Sequence, residues 1–209
     1  ILDMKIERFV LGSFGTNVYV AVNEETKEAV IVDPAAFPDY VCSHIKEEGL
    51  EVRAVLLTHG HIDHIGGVDA VLRKFPVPVY AHVMEVEVLK NEQENLSAMF
   101  GAAYTFEKAV GLRDGEILST AGFKFRIIHT PGHTKGGCCY YEKDENVLFS
   151  GDTLFMQSVG RTDFPTGSTS TLIRSIREKL LILPEETKVY PGHMEETTIG
   201  FEKERNPFI

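Results

Sequence analysis

The chain has 209 residues, of which 43% are hydrophobic and 25% charged, a balance typical of one globular domain over residues 1–209. Its formal net charge of -10 argues against a nucleic-acid partner and against docking on anionic membranes, because both would need a basic surface. No apolar run approaches the roughly 20 residues of a membrane helix. The first ten residues carry four charges, which is not typical of a signal peptide. Three cysteines make no disulfide framework, so we expect the protein to be located in the reducing cytoplasm.

Strands and helices alternate in the first half of the chain. Period-two alternation and short apolar runs predict strands over 5–10, 17–23, 29–32, 53–57 and 78–81. Helical spacing predicts helices over 40–48 and 63–75, and one or two helices over 83–100.

Strands return in the second half. They are predicted over 116–119, 123–128, 137–141, 147–150 and 188–190, with an amphipathic helix over 169–181. The tripeptide Pro-Gly-His recurs at 131–133 and 191–193, each time after a predicted strand, as expected for two related halves. The whole order predicts an α/β fold in which helices cover mixed sheets.

A cluster of metal-binding residue types follows the predicted strand 53–57. It consists of His59, His61, Asp63 and His64. Adjacent side chains of a regular strand point to opposite faces, so these four converge only on a turn. Imidazoles and carboxylates of this kind suit zinc, iron or manganese. Four such groups at one strand end are costly to explain as packing, whereas a single histidine is more simply a surface or core residue.

Three further candidates lie at the ends of later strands. His133 follows strand 123–128, Asp152 follows strand 147–150 and His193 follows strand 188–190. The carboxyl ends of sheet strands are where the sites of α/β proteins gather. Asp152 alone is explained equally well as a turn or helix-capping residue, but in company with the histidines we interpret it as a metal ligand.

The seven candidates, in this order, resemble the signature of the metallo-β-lactamase superfamily. The resemblance implies an α/β fold of the αβ/βα four-layer sandwich type, with the metals at one edge of two packed sheets. It also implies two divalent metal ions, with zinc favoured and iron or manganese as alternatives. Carried over by position, the first metal would be held by His59, His61 and His133. The second would be held by Asp63, His64 and His193, with Asp152 bridging both.

Within the superfamily, the chain is similar to the glyoxalase II-like hydrolases, especially their short bacterial branch. The residues that carry this likeness are Thr16-Asn17, Asp33-Pro34, 130–134, 150–155, 160–165, Ser175-Ile176, 190–193 and 202–208. The resemblance implies hydrolysis of a small-molecule thioester, S-2-hydroxyacylglutathione or a related compound, by a hydroxide that bridges the metals, with Asp63 and Asp152 in the catalytic centre.

Two departures qualify this likeness. Full-length glyoxalase II continues beyond the position of Ile209 into a helical domain that contacts glutathione, so the thiol half of the substrate stays open. True β-lactamases do not use an aspartate bridge like Asp152, which argues against that activity.

Six other side chains have two possible interpretations each. Asp33 resembles the family's aspartate beside the metal-binding histidines, or is a plain turn residue. Arg161 is either the substrate anchor, pairing with a carboxylate, or the partner of an internal acid such as Asp163. Four apolar side chains either line a pocket or belong to the core, namely Phe100, Phe155, Met156 and Phe164.

Other functions are compatible with the same candidate metal ligands. Persulfide dioxygenases share the fold and a Gly-Arg-Thr-Asp-Phe segment like 160–164, and bind one iron through a set matching His59, His133 and Asp152. A lactonase or phosphodiesterase would use the same two metals. A structural zinc protein would favour closed sites rich in cysteine, which this ligand set does not resemble. The sequence indicates no oligomeric state.

Overall fold

The computed structural model describes residues 3–209, so the first two residues of the predicted domain lie outside the described part. Two sheets of six strands each dominate it. In the first sheet the strands follow chain order, as β1 (Met4–Leu11), β2 (Thr16–Asn23), β3 (Glu28–Val32), β4 (Glu51–Leu56), β5 (Val79–His82) and β6 (Val110–Leu112). Strands β1 to β3 are antiparallel, and β3 to β6 run parallel.

The second sheet is built from the later part of the chain. Its strands are β7 (Ile117–Thr120), β8 (Phe123–His129), β9 (Cys138–Glu142), β10 (Val147–Gly151), β13 (Lys188–Pro191) and β14 (Thr197–Thr198). They lie in the order β14-β13-β10-β9-β8-β7, with β10 and β13 parallel. A separate small hairpin joins β11 (Leu154–Phe155) to β12 (Ser158–Val159).

Seven α-helices lie between or after the strands within residues 3–209. They are α1 (Asp39–Glu47), α2 (Ile62–Ile65), α3 (Val68–Lys74), α4 (Glu85–Leu89), α5 (Ser97–Phe100), α6 (Thr169–Ser175), which continues as a π-helical turn (Ile176–Leu180), and α7 (Ile199–Arg205). No helix within residues 3–209 has both the length and the apolar character needed to cross a membrane.

Three apolar clusters hold these layers together. Between the sheets, Tyr19 and Leu56 from the first sheet pack with Phe125, Tyr140 and Phe149 from the second. A second cluster joins the outer face of the first sheet to α1 and α3, and a third joins the outer face of the second sheet to α6. Because each sheet is covered on both faces, the central strands β3, β9 and β10 are buried along almost their whole length. The four-layer αβ/βα sandwich implied by the resemblance is confirmed.

Three predicted helices differ from the observed ones. The helix predicted over 63–75 begins at Ile62 and breaks at Gly66 and Gly67, where a Cβ on Gly67 would lie 2.5 Å from the carbonyl carbon of Ala36. The apolar spacing continues through this break, so periodicity alone does not reveal it. The 83–100 segment forms two short helices, and the helix predicted over 169–181 ends as a π-helical turn.

Candidate metal centre

The seven candidate ligands meet at one edge of the sandwich, where the carboxyl ends of strands from both sheets come together. His59 follows β4, and α2 carries Asp63 and His64 directly after it. From the second sheet, His133 follows β8 and Asp152 follows β10. His61 and His193 complete the group, the latter after β13. The two halves of the chain thus contribute to a single centre.

Two adjacent sets of possible ligands are formed there. One contains His59, His61 and His133; the other contains Asp63, His64, Asp152 and His193. Within each set, one ligand atom per residue lies within 4.8 Å of the others. A third grouping of the same kind includes Asp33 with His59 and His64.

Unpaired polar atoms show that these residues fit a metal. The Nε2 atoms of His59, His61 and His133 and the Oδ1 atom of Asp152 are buried and make no hydrogen bond to the protein. A buried polar atom without a partner costs about 1–3 kcal/mol, so several at one point need a further partner. Imidazole nitrogens and carboxylate oxygens together suit a divalent transition metal.

Asp152 contacts both sets. Its Oδ2 atom lies 3.5 Å from Nε2 of His133 in the first set and 3.4 Å from Nε2 of His193 in the second. Its Oδ1 atom lies 3.2 Å from Nε2 of His64. A carboxylate in this position is placed to bridge two ions.

One histidine from each set differs from the other in the direction of its pKa shift. Burial lowers the pKa of His61 to about 3, so this imidazole is neutral and free to act as a ligand. In the second set burial opposes protonation, yet the nearby carboxylates prevail: hydrogen bonds to Asp152 and Asp63 raise the pKa of His193 to about 9. A cation bound between these groups would replace that proton, so metal uptake at the second set should release protons.

Asp33 orients His64 from behind the centre. Its backbone is left-handed, with a φ of 51°, at the end of β3. Oδ1 accepts a hydrogen bond from the Thr58 backbone N–H at 2.8 Å, and Oδ2 accepts one from the Thr58 hydroxyl at 2.6 Å. Nδ1 of His64 donates to the same Oδ2 at 2.9 Å, so Nε2 is directed toward Asp152 and His193. A hydrogen bond of this type fixes the ring orientation and the tautomer.

The two Pro-Gly-His tripeptides need glycine for different reasons. A Cβ on Gly192 would lie 2.4 Å from Oδ1 of Asp152 and 2.6 Å from Cε1 of His64, so the backbone at 192 packs directly against the centre. Gly132 has a φ of 142°, and its Cβ would lie 2.3 Å from Cα of Leu172 in α6. The repeated motif therefore serves packing on α6 at one site and close approach to the ligands at the other.

Glu85 supports the centre, and sequence reasoning missed it. Its carboxylate is buried and accepts hydrogen bonds from the Gly60 N–H at 2.8 Å, the Thr134 hydroxyl at 2.6 Å and the Gly136 N–H at 3.2 Å. Burial raises the pKa of Glu85 to about 7, against these three hydrogen bonds and the charge of Lys135. One side chain of α4 thereby ties the loop of His59 and His61 to the loop of His133. A lone glutamate in a helical pattern carries no sequence signal for this role.

A cavity of about 380 Å³ opens above the ligands. Apolar side chains form much of its wall, including the predicted Phe100, Phe155 and Phe164 but not Met156. Arg161 also lines it, and its guanidinium donates two hydrogen bonds of 2.7 Å to Asp163. This hydrogen-bonded contact lowers the pKa of Asp163 to about 2.

None of the three cysteines lines this cavity. Cys42, Cys138 and Cys139 are all buried, and none of them forms a disulfide. Burial raises the pKa of the Cys139 thiol to about 12, which disfavours the reactive thiolate form.

Comparison with known sequences gives a consistent picture. A family model described as the metallo-beta-lactamase superfamily matches residues 11–193. The "Probable metallo-hydrolase YqgX" of Bacillus subtilis is 40% identical over 99% of this chain and 98% of its own length. The "Hydroxyacylglutathione hydrolase GloC" of Haemophilus influenzae is 37% identical, again over 99% of this chain and 98% of its own length.

Solved structures agree in fold. The BLEG-1 B3 metallo-beta-lactamase is 44% identical with a TM-score of 0.91 and covers 98% of this chain and 99% of its own. TTHA1623, solved in a di-iron-bound form, is 33% identical with a TM-score of 0.86 over 97% of this chain and all of its own. ETHE1 from Myxococcus xanthus is 30% identical with a TM-score of 0.79 over 98% of this chain and 84% of its own.

Proposed function

The chain belongs to the metallo-beta-lactamase superfamily, and on that premise we propose that this metallo-hydrolase cleaves small-molecule thioesters. The GloC relative, whose name is that of an acylglutathione hydrolase, supports this choice. The proposal includes two divalent ions, the first held by His59, His61 and His133 and the second by Asp63, His64 and His193, with Asp152 between them. Zinc is the favoured ion, and the di-iron form of TTHA1623 makes iron the main alternative.

One observation carries the choice of a thioester. Among the described residues that line the cavity, every acid and histidine belongs to the proposed ligand set. The one other ionisable group of the lining is Arg161, whose pKa is raised further by its hydrogen bonds to Asp163, so it does not give up a proton. No side chain is then left as a dedicated acid for the leaving group. A thiolate departs with little or no protonation, whereas an amine or alkoxide leaving group needs a proton.

The chain's own residues prepare this site in three ways. His59, His61 and His133 direct unpaired Nε2 atoms to one point, and Asp152 directs a carboxylate to both sets. Asp33 holds the ring of His64 in place. Bound there, two divalent ions supply Lewis-acid charge for the carbonyl and lower the pKa of water toward neutrality.

A metal-by-substrate experiment tests the function. Protein reconstituted separately with zinc, iron or manganese is assayed for metal per chain and for thiol release from S-lactoylglutathione and from a simple acyl thioester. We expect metal-dependent thiol release, and its loss in the Asp152→Ala variant. No thiol release from any thioester with any of the three metals would refute the proposal.

A persulfide dioxygenase is the second candidate, and the match to ETHE1 is compatible with it. Oxygen uptake on glutathione persulfide by the iron-loaded protein, without thioester hydrolysis, would favour this candidate. The match to BLEG-1 makes a cephalosporin a necessary third substrate in the same assay. If the β-lactam ring of the cephalosporin were hydrolysed faster than any thioester, the activity would be β-lactam hydrolysis instead.

A further inference from the structure

Three phenylalanines form a continuous wall from the cavity mouth to the first ligand set. Phe14 meets Phe100 edge to face, with ring centroids 5.5 Å apart. Phe100 meets Phe164 in the same way at 5.9 Å, and Phe164 meets the imidazole of His61 at 5.9 Å. We call Phe14, Phe100 and Phe164 the aromatic wall.

The wall is assembled from separate parts of the chain. Phe14 lies between β1 and β2, Phe100 ends α5, and Phe164 lies in the segment between β12 and α6. Each ring reaches the same cavity from a different segment. Such convergence distinguishes the wall from the incidental exposure of one apolar side chain, which is common on protein surfaces.

Much of this apolar surface faces solvent. The exposed fraction is 52% for Phe14, 43% for Phe100 and 54% for Met194, which also lines the cavity. Leaving adjoining apolar side chains in water forgoes the free energy of burial, so an exposed apolar patch beside a site marks a surface that a ligand covers.

The charged side chains at the rim of the cavity also favour an apolar ligand. Arg161 is the one cationic side chain that lines the cavity among the described residues outside the ligand sets. Its guanidinium is engaged by both carboxylate oxygens of Asp163 and lies 4.0 Å from the ring centroid of Phe164. Two of its five N–H donors are therefore occupied, and a substrate carboxylate that approached the others would be repelled by the charge of Asp163.

From the wall, its exposure and the paired arginine, we propose that the site selects thioesters with an apolar chain, which lies along the aromatic wall. The chain belongs to either the acyl half or the thiol half, since both leave the same reacting carbonyl beside the ligand sets. This inference rests on the proposed function for its chemistry, but binding of an apolar chain is measurable without turnover.

Calorimetric binding to the metal-loaded protein tests the inference. One series contains the acyl products acetate, butyrate, hexanoate and octanoate; a second contains ethanethiol, butanethiol and hexanethiol. In the series that corresponds to the natural chain, we expect the affinity to rise about threefold to fourfold for each added methylene group. Hexanedioate should bind more weakly than hexanoate, because its second carboxylate meets an apolar wall and an arginine that is already paired.

Variants assign the effect to the wall. Phe100→Ala and Phe14→Ala should each flatten the dependence of affinity on chain length. Phe208→Ala is the matched control, because Phe208 is 54% exposed, much like Phe14, but does not line the cavity. We expect the control to keep the wild-type slope. Equal slopes in all four proteins would overturn the assignment to the wall.

The outcomes separate this inference from the proposed function. Binding that is independent of chain length in both series, or tighter binding of hexanedioate, overturns the inference even if thioesters are hydrolysed. Chain-length-dependent binding without hydrolysis of any thioester supports the apolar site and refutes the thioesterase. When the protein both binds apolar chains and hydrolyses thioesters, kcat/KM for acyl thioesters should rise with chain length in the wild type.

Discussion

Replacing Gly192 with alanine should disrupt the metal centre while leaving both sheets intact. The new Cβ would lie 2.4 Å from Oδ1 of Asp152, whereas ordinary contacts of this kind begin near 3.4 Å. Either the carboxylate or the backbone at 192 must therefore move by about 1 Å. A displacement of that size at reacting groups costs about 100-fold in rate, and overpacking a rigid site costs about 1–3 kcal/mol.

Metal content and turnover measure this effect together. We expect Gly192→Ala to retain less metal per chain after dialysis against a weak chelator and to lose about 100-fold in kcat/KM on a thioester, with an unchanged far-UV circular dichroism spectrum. Gly101→Ala is the control, because its backbone is extended, with a φ of 165°, and nothing lies within 4 Å of its Cβ position. Wild-type metal content and turnover in Gly192→Ala would refute the close approach of this backbone to the ligands.

Three further changes have defined outcomes. Asp152→Ala should abolish retention of metal at both sets without altering the circular dichroism spectrum, and full metal occupancy would contradict its bridging position. Asp33→Asn should weaken metal binding about 10- to 100-fold in a chelator competition, because the hydrogen bond that orients His64 is changed. Burial, with the stacked ring of His129, lowers the pKa of His82 to about 4. The unfolded chain therefore takes up that proton first, and the free energy of unfolding should fall as pH drops from about 6.5 toward 4. Urea unfolding at several pH values should show a smaller fall for His82→Asn, and an equal fall would refute this assignment.

Local patterns predicted much of this molecule. The alternation in Lys5–Val10 and the apolar run Ala29–Val32 each locate a strand of the first sheet, because one or both faces of these segments are buried. The convergence of the candidate ligands was also predictable, since each follows a strand and strand ends meet at one edge. The shortest strands were missed, because two residues such as Leu154-Phe155 show no periodicity.

Other features of the site depend on contacts that local sequence patterns do not predict. The role of Glu85 depends on donors at Gly60, Thr134 and Gly136, which lie 25 to 51 residues away along the chain. Arg161 had two sequence interpretations, and only coordinates place its guanidinium against Asp163. The sequence could name Asp163 as a possible partner because it is only two residues away, but the contacts of Glu85 arise only when loops that are distant in the chain are brought together.

The division of ligands between the two halves has a consequence for folding order. The segment around α2 supplies His59, His61 and Asp63 but lacks His133 and Asp152, so neither half alone completes either set. Tight metal uptake must then follow the docking of the sheets rather than initiate it. A chain cut between β6 and β7 should accordingly give two fragments that bind metal weakly apart and regain the ion only on reassociation, so that the bound ion acts as a late cross-link between them.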